Sequence, residues 1–175
     1  YSPALTDFVV MTEGSAMFLT GPGVVREVMG EDVDAQELGG PRVHAKNGVC
    51  QFVARNDHEA VGLVRGLLAH LPQRAGDAPP LGVPAPVPTA DPSDWVPAAS
   101  REVYDVRNVI RAVVDNEELL EVGERWARNM VTAFCRIDGR PVGVIANQPW
   151  YLGGVIDADA SQKAAKFVRS CNAFG

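Results

Sequence analysis

The sequence predicts a mixed α/β fold in which each of two packed units contains helices and strands. Residues 131–146 alternate apolar and polar side chains around an Asp-Gly pair, a pattern that is typical of a β-hairpin. Residues 60–71 and 160–174 each carry an apolar stripe at helical spacing. Between the units lie eight prolines in the 26 residues from Pro72 to Pro97. Such a stretch cannot continue a helix or supply a core, so it predicts a linker.

The overall composition limits the class of protein. With 46% hydrophobic residues among 175, the chain can bury a core and is predicted to be globular rather than disordered. Its formal net charge of −6 does not support a basic surface for nucleic acid or anionic lipid. No apolar run approaches the roughly 18 residues of a membrane-spanning helix, so no membrane association is predicted. The three cysteines form neither a CxxC pair nor an even set, which favours reduced thiols in a cytoplasmic protein.

The first unit is predicted to begin with two neighbouring strands. Residues 5–11 are rich in β-branched and aromatic types, and residues 16–20 form a second apolar run after the turn around Gly14. A short helix should follow, because apolar side chains recur at helical spacing from Val24 until Gly30, a residue suited to a helix C-terminus.

The second helix of this unit has a clearer signal. Asn56 and Glu59 have the spacing of a capping box, and the apolar stripe that follows runs to the first proline of the proline-rich stretch. The predicted organisation is a first domain portion at residues 1–75, a proline-rich linker at 76–101 and a second domain portion at 102–175.

The second unit is predicted to contain a helix, a hairpin and a final helix. Asp105 is placed to cap the first helix, and Asp159 is placed to cap the last one. The cations of the last helix, expected on faces other than the apolar one, are Lys163, Lys166 and Arg169. Such a cluster fits the phosphates of a coenzyme, but the solvated face of an amphipathic helix is the simpler interpretation.

Catalytic motifs with a specific spacing are missing from the sequence. The three histidines are scattered, and no HExxH, GxSxG or phosphate-binding GxxxxGK[ST] pattern is present. The cysteines show no pattern of a catalytic thiol. We therefore predict no metal site and no side-chain nucleophile. The pairs Gly39-Gly40 and Gly153-Gly154 are interpreted as sharp turns or as points where a ligand approaches the backbone.

Six segments, spread in order from the first residue to near the last, carry a family resemblance. They are YSPALTDF (1–8), ELGGPRVH (37–44), YDVR (104–107), RNMV (128–131), GRPVGVIANQP (139–149) and KAAKFVR (163–169). The chain resembles the β subunit of propionyl-CoA and acetyl-CoA carboxylases of the actinobacterial type. The combination of GGPRVHA with VGVIANQP is specific, whereas KAAKFVR alone would be weak.

The resemblance implies a crotonase-like fold, a superhelix of ββα units, with parts of two consecutive domains in this chain. In this family the first domain binds acyl-CoA and biotin approaches from the second. The active site lies between the first domain of one subunit and the second domain of its partner, within a hexamer. The proline-rich stretch at 76–101 agrees with a boundary between two such domains.

The implied reaction is transfer of a carboxyl group from carboxybiotin to the α-carbon of a short acyl-CoA such as propionyl-CoA or acetyl-CoA. The implied cofactor is biotin, carried on a biotin carboxylase and biotin carboxyl carrier subunit, and the substrate is a coenzyme A thioester. Backbone amides of two oxyanion holes stabilise the enolates in this family. Two alternatives stay open: a biotin-dependent decarboxylase or methylcrotonyl-CoA carboxylase subunit, and a non-catalytic crotonase-like interaction protein.

The resemblance implies binding residues but no catalytic residue, because both glycine-rich holes correspond to positions outside residues 1–175. The implied substrate-binding residues are Tyr1, Ser2, Pro3, Ala4, Gly39, Gly40 and His44. The first four would line the acyl-CoA pocket, the two glycines lie in a loop that approaches the active site, and the histidine is the polar residue beside them. Asn172 departs from the aspartate usual in the family, so a negative charge is lost at that helix end.

Overall fold

The computed structural model describes residues 2–86, 88–99 and 101–175. The chain forms two compact units, Tyr1–Val64 and Arg65–Gly175. This division concerns packing within the chain, and the domain portions at 1–75 and 102–175 stay predictions.

The sheet of the first unit is a parallel pair of short strands. Strand β1 (Val10–Thr12) pairs with strand β2 (Phe52–Ala54), with Val10 opposite Phe52. Parallel strands need a long crossover connection, and the helical segment between these two supplies it. The buried cluster beside the pair consists of Val9, Met11 and Cys50.

The prediction of neighbouring strands at 5–11 and 16–20 is wrong. Pro3–Leu5 forms a 3-10 turn, β1 begins only at Val10, and the described residues 16–20 form no strand. The backbone of the second run is engaged elsewhere, because the amide of Met17 donates to Gly39 O at 2.8 Å. The partner of β1 therefore comes from a distant segment that the sequence pattern did not mark as a strand.

The helices of the first unit are α1 (Pro22–Met29), α2 (Ala35–Gly39), α3 (Pro41–His44) and the first part of α4 (Asp57–Leu68). Gly30 ends α1 in the left-handed conformation, with a φ of 72°, as predicted. Asn56 accepts the amide of Glu59 at 2.9 Å, but the Glu59 carboxylate accepts the amide of Arg55 at 2.7 Å. Half of the predicted capping box is therefore present at the start of α4.

The second unit is built on an antiparallel sheet. Its strands are β3 (Leu120–Glu121), β4 (Met130–Ile137) and β5 (Arg140–Asn147), in that order across the sheet. The predicted hairpin is confirmed, with Asp138 and Gly139 as its two-residue turn. Their φ values of 52° and 72° lie in the left-handed region that a type I′ turn requires at both positions.

Both faces of β4 are covered by helices, which explains why most of its side chains are buried. On one face, α5 (Val106–Arg111) packs its Ile110 into a cluster with Ala133 and Cys135. On the other face, α6 (Ala158–Phe174) brings Phe167 to Phe134, with ring centroids 5.0 Å apart. Asp105 caps α5 by accepting the amide of Arg107 at 3.0 Å, as predicted.

The last helix differs from its prediction in two respects. Asp157, not Asp159, caps α6, since its carboxylate accepts the amide of Ala160 at 2.8 Å. Lys163 is only 3% exposed, so it belongs to the buried face rather than to a solvated one. Neither α6, with 17 residues, nor any other helix in the described ranges is long and apolar enough to cross a membrane.

The proline-rich stretch is attached to the hairpin of the second unit. The amide of Gly82 donates to Gly139 O at 2.7 Å, and the guanidinium of Arg136 donates to Pro80 O at 3.0 Å. A Cβ on Gly139 would lie 2.5 Å from Gly82 O. The proline-rich segment can therefore approach the hairpin turn this closely only because the second turn residue is glycine. Further along, Pro92–Trp95 forms a 3-10 turn.

Candidate functional site

The predicted glycine pair lies at the junction of α2 and α3, against the segment that contains Met17. A Cβ on Gly39 would fall 2.2 Å from Met17 O, and one on Gly40 would fall 2.6 Å from Gln36 O. Neither glycine has a positive φ. Glycine is therefore required at both positions by close approach of other backbone atoms, and not by an unusual turn.

His44 closes the same junction from α3. Its Nε2 lies 2.6 Å from Met17 O, and because a carbonyl oxygen only accepts, Nε2 carries the hydrogen. In the neutral imidazole, Nδ1 is then an acceptor, and it is buried without a partner among the described residues. Gly39 and His44 thus hold the amide and the carbonyl of Met17 between them. We call Gly39, Gly40, His44 and Met17 the glycine–histidine junction.

The remaining predicted acyl-CoA residues lie at the start of the chain. Tyr1 lies outside the described residues. Residues 2–4 are exposed in and beside a 3-10 turn, and the Thr6 hydroxyl donates to Pro3 O at 2.7 Å. Within the described ranges, no hydrogen bond joins this turn to the glycine–histidine junction. The structure therefore brings Gly39, Gly40 and His44 together, and leaves Ser2, Pro3 and Ala4 in a separate exposed turn.

A second constellation, which the sequence did not predict, centres on Lys163. Its ammonium donates to Met130 O at 2.6 Å and to Trp126 O at 2.9 Å, and it lies 3.5 Å from Ala127 O. Ala127 has a φ of 43°, which turns the backbone so that carbonyls of one loop converge. An ammonium has three N–H donors, so these carbonyls satisfy its hydrogen-bonding capacity.

The charges around Lys163 act in opposite directions. Burial lowers the pKa of Lys163 to about 8, and Arg107 lowers it as well, whereas Glu121 and Glu124 favour the ammonium. With a pKa near 8 the ammonium exceeds the amine by about tenfold at pH 7. Lys163 is therefore a buried cation at neutral pH.

Two loops of the second unit, residues 123–129 and 147–156, are joined by hydrogen bonds. The amide of Gln148 donates to Asn129 O at 2.8 Å, and Asn129 Nδ2 donates to Val155 O at 2.6 Å. Gln148 is fully buried and also binds the N-cap carboxylate of α5 at 2.6 Å. We call residues 123–129 and 147–156 the paired loops.

The outer surface of the paired loops is apolar and cationic. The guanidinium of Arg128 stacks on Tyr151, with its carbon 3.9 Å from the ring centre, and donates to the Tyr151 hydroxyl. Gly153 and Gly154 both have a positive φ, 62° and 74°, which confirms a sharp turn at this pair. The exposed large apolar side chains of this surface are Trp150, Leu152, Val155 and Ile156.

Nucleophile and metal chemistry have little support among the described side chains. Burial raises the pKa of Cys135 to about 11 and also raises the pKa of Cys171, so neither thiol is activated. No group of three or more His, Cys, Asp or Glu residues in the described ranges is placed to hold a metal ion. The glycine–histidine junction offers ordered backbone, and the paired loops offer an apolar surface with the guanidinium of Arg128 fixed beside it.

Comparisons with known proteins agree over the whole chain. The family described as "Carboxyl transferase domain" matches residues 1–175. The methylmalonyl-CoA carboxyltransferase 12S subunit of Propionibacterium freudenreichii subsp. shermanii is 46% identical over 99% of this chain. The biotin-dependent acetyl-/propionyl-coenzyme A carboxylase beta5 subunit of Mycobacterium tuberculosis is 42% identical over 99% of it. The chain spans about a third of the length of these curated relatives, 34% of each.

The fold agrees with a solved relative. The crystal structure of transcarboxylase 12S, described as a hexamer with hydrolysed methylmalonyl-coenzyme A bound, matches with a TM-score of 0.95 at 46% identity. The match covers 99% of this chain and 35% of that one. It confirms the crotonase-like α/β class that the sequence predicted. The chain belongs to the carboxyl transferase domain family.

Proposed function

We propose that the complete protein is the carboxyltransferase component of an acyl-CoA carboxylase. It would transfer a carboxyl group from carboxybiotin to the α-carbon of a short acyl-CoA such as propionyl-CoA or acetyl-CoA. The observation that carries this proposal is the family match over residues 1–175. The relatives named as a methylmalonyl-CoA carboxyltransferase and as an acetyl-/propionyl-coenzyme A carboxylase subunit support it. Carboxybiotin, when bound, supplies the carboxyl group and a ureido nitrogen that can take the α-proton.

Acyl-CoA binding is assigned to the first unit. The proposed binding residues are Tyr1, Ser2, Pro3, Ala4, Gly39, Gly40 and His44. Support comes from the glycine–histidine junction, where the absence of a Cβ on Gly39 and Gly40 allows other backbone atoms to approach closely. His44 fixes the Met17 carbonyl and would act by ordering this loop, because its second nitrogen is enclosed.

Carboxybiotin is assigned to the second unit, at the paired loops. The fused rings of biotin are largely apolar, and the exposed Trp150 and Val155 offer apolar contact to such a group. Arg128 is held beside them by Tyr151, and a guanidinium suits the carboxylate that carboxybiotin carries. These residues fit the group that the family relationship implies.

The assembly is part of the same proposal. The complete protein would form a homo-oligomer, and a hexamer is the state described for the solved transcarboxylase 12S. We assign it to the cytoplasm. Its partner would be a subunit with biotin carboxylase and biotin carboxyl carrier activity. No nucleic-acid or membrane partner is proposed.

The test is carboxylation by the complete protein, assembled with its cognate biotin carboxylase and carrier subunits. ATP, labelled bicarbonate and acetyl-, propionyl- or methylcrotonyl-CoA are supplied in parallel, with avidin-treated complex as the control. We expect label in the propionyl or acetyl thioester and none after avidin treatment. An assembled complex that labels no thioester would contradict the proposal. Biotin-dependent release of CO2 from methylmalonyl-CoA would then identify a decarboxylase. If the complex showed neither carboxylation nor decarboxylation, the protein would be non-catalytic.

A further inference from the structure

We infer that Lys163 is a positioning residue for carboxyl transfer, whose ammonium fixes the paired loops at the carboxybiotin side of the second unit. The inference rests on the proposed function and adds to it a residue that touches no substrate. It starts from the finding that a cation from the middle of α6 is almost fully buried under one of these loops.

The first step concerns the charge state that the loop requires. Lys163 faces Met130 O, Trp126 O and Ala127 O within 3.5 Å. A neutral amine has two N–H groups and no charge, so loss of the proton weakens the hydrogen bonds to Met130 O and Trp126 O, while Ala127 O keeps the amide of Met130 at 2.9 Å. The buried carbonyl of Met130 then loses a charge-assisted donor, and the loop can relieve that loss by moving toward water. The ammonium therefore selects the loop conformation seen here.

The second step connects this loop to its neighbour. Met130, whose carbonyl Lys163 binds, directly follows Asn129 in the chain. The backbone O of Asn129 accepts the amide of Gln148 at 2.8 Å, and its side-chain Nδ2 donates to Val155 O at 2.6 Å. The preceding residue, Arg128, stacks on Tyr151 of the second loop. A shift of the backbone at 126–130 would thus displace the Arg128 guanidinium and the apolar residues beside it.

The third step concerns the other charges that face Lys163. Glu121 of β3 is already bound at two points by Arg107 of α5, at 2.6 and 2.8 Å. Glu124 lies in the first of the paired loops. A leucine or methionine at position 163 would fill the buried stripe of α6 without the desolvation cost of a cation. The distinct contribution of the ammonium is therefore its hold on the loop carbonyls, and not helix packing.

The experiment uses the complete protein in its assembled complex, with Lys163→Met as the test and Arg169→Gln as the control. The control removes an exposed cation from the same helix. We expect Lys163→Met to lower kcat at least tenfold while KM for acyl-CoA changes less than twofold, and Arg169→Gln to change neither. Wild-type kcat should fall as pH rises through about 8, and the variant should lack this decline. Deuterium uptake should increase in both paired loops of Lys163→Met.

A second variant keeps the inference testable if Lys163→Met does not fold. Asn129→Ser removes the hydrogen bond from Asn129 Nδ2 to Val155 O, keeps the backbone bond from Gln148 to Asn129 O, and leaves the ammonium and its carbonyls intact. We expect a loss of kcat in the same direction at unchanged KM for acyl-CoA. A folded Lys163→Met with kcat within twofold of wild type, or with unchanged exchange in the paired loops, would overturn the inference. Absence of transfer by the wild-type complex would instead refute the proposed function, and with it a role of Lys163 in that reaction.

Discussion

Arg107 and Glu121 form a two-point ion pair that joins α5 to the edge strand β3. The distances are 2.6 Å from Nε to Oε2 and 2.8 Å from Nη2 to Oε1. The two side chains are 15% and 10% exposed, so solvent screens this pair little. Planar, two-point geometry of this kind is the strongest form of the arginine–carboxylate interaction.

Arg107→Met should therefore destabilise the protein by about 3 kcal/mol, because it leaves the Glu121 carboxylate buried without its partner. Arg55→Gln provides the control, since Arg55 and Glu59 form a pair in which Arg55 is 79% exposed, and its loss should change stability far less. Urea unfolding followed by tryptophan fluorescence measures both. Equal effects of the two substitutions would contradict the importance of burial for the first pair.

Gly39→Ala should destabilise the first unit by at least about 2 kcal/mol, because the new Cβ would fall 2.2 Å from Met17 O. Gly62→Ala is the matched control in α4, where a Cβ would have nothing within 4 Å. That change should be neutral or stabilising by up to about 1 kcal/mol, since alanine favours the helix. Thermal unfolding of both variants beside wild type tests this difference, and a Gly39→Ala protein as stable as Gly62→Ala would show that the junction can relax.

The sequence could predict those helices, strands and turns whose determining residues lie next to one another in the chain. The hairpin at Asp138-Gly139 combines an alternation of period two with a turn pair that accepts positive φ, so both signals lie within the same few residues. β1 and β2 have three residues each and pair across about forty residues of chain. Such short strands carry too little pattern to show their partner, and the register depends on contacts distant in sequence.

The candidate sites show the same contrast. The family resemblance placed Gly39 and His44 together, but their common partner Met17 lies far away in the sequence and could not be inferred from it. Lys163 lies three residues after Ala160 and four before Phe167, which is the spacing of a buried stripe. Its charge led to the opposite prediction, because the carbonyls that make its burial tolerable come from another loop.

Asp115→Ala should destabilise the hairpin by about 2 kcal/mol. The buried Asp115 carboxylate accepts the amide of Asp138 at 3.0 Å and that of Gly139 at 2.7 Å, and its loss leaves both turn amides unpaired. Asp91→Ala is the control, because Asp91 is exposed and accepts the amide of Ser93 at 2.8 Å. Hydrogen exchange at residues 136–141 should rise in the first variant only. Unchanged protection there would show that the turn holds without this acceptor.

Lys163 should also give the protein a characteristic dependence of stability on pH. Its pKa falls from 10.5 to about 8 on folding, chiefly because burial disfavours the charge. Between pH 8 and pH 10.5 the unfolded chain keeps this proton while the folded one does not, so the contribution of Lys163 to the free energy of unfolding rises with pH over that window. The difference between wild type and Lys163→Met should therefore shift in favour of wild type by about 2.5 kcal/mol from pH 7 to pH 10.

The measurement is urea unfolding of both proteins at intervals from pH 7 to pH 10, in which the other titrating groups cancel in the difference. Two curves that stay parallel would show that the folded and unfolded chains bind this proton equally. The inferred positioning role adds a sharper expectation, because deprotonation of Lys163 relaxes the desolvation cost of a buried charge and at the same time removes a donor from the loop carbonyls. Stability should then rise and carboxyl transfer should fall over the same pH range, a pair of opposite trends that a purely structural lysine would not produce.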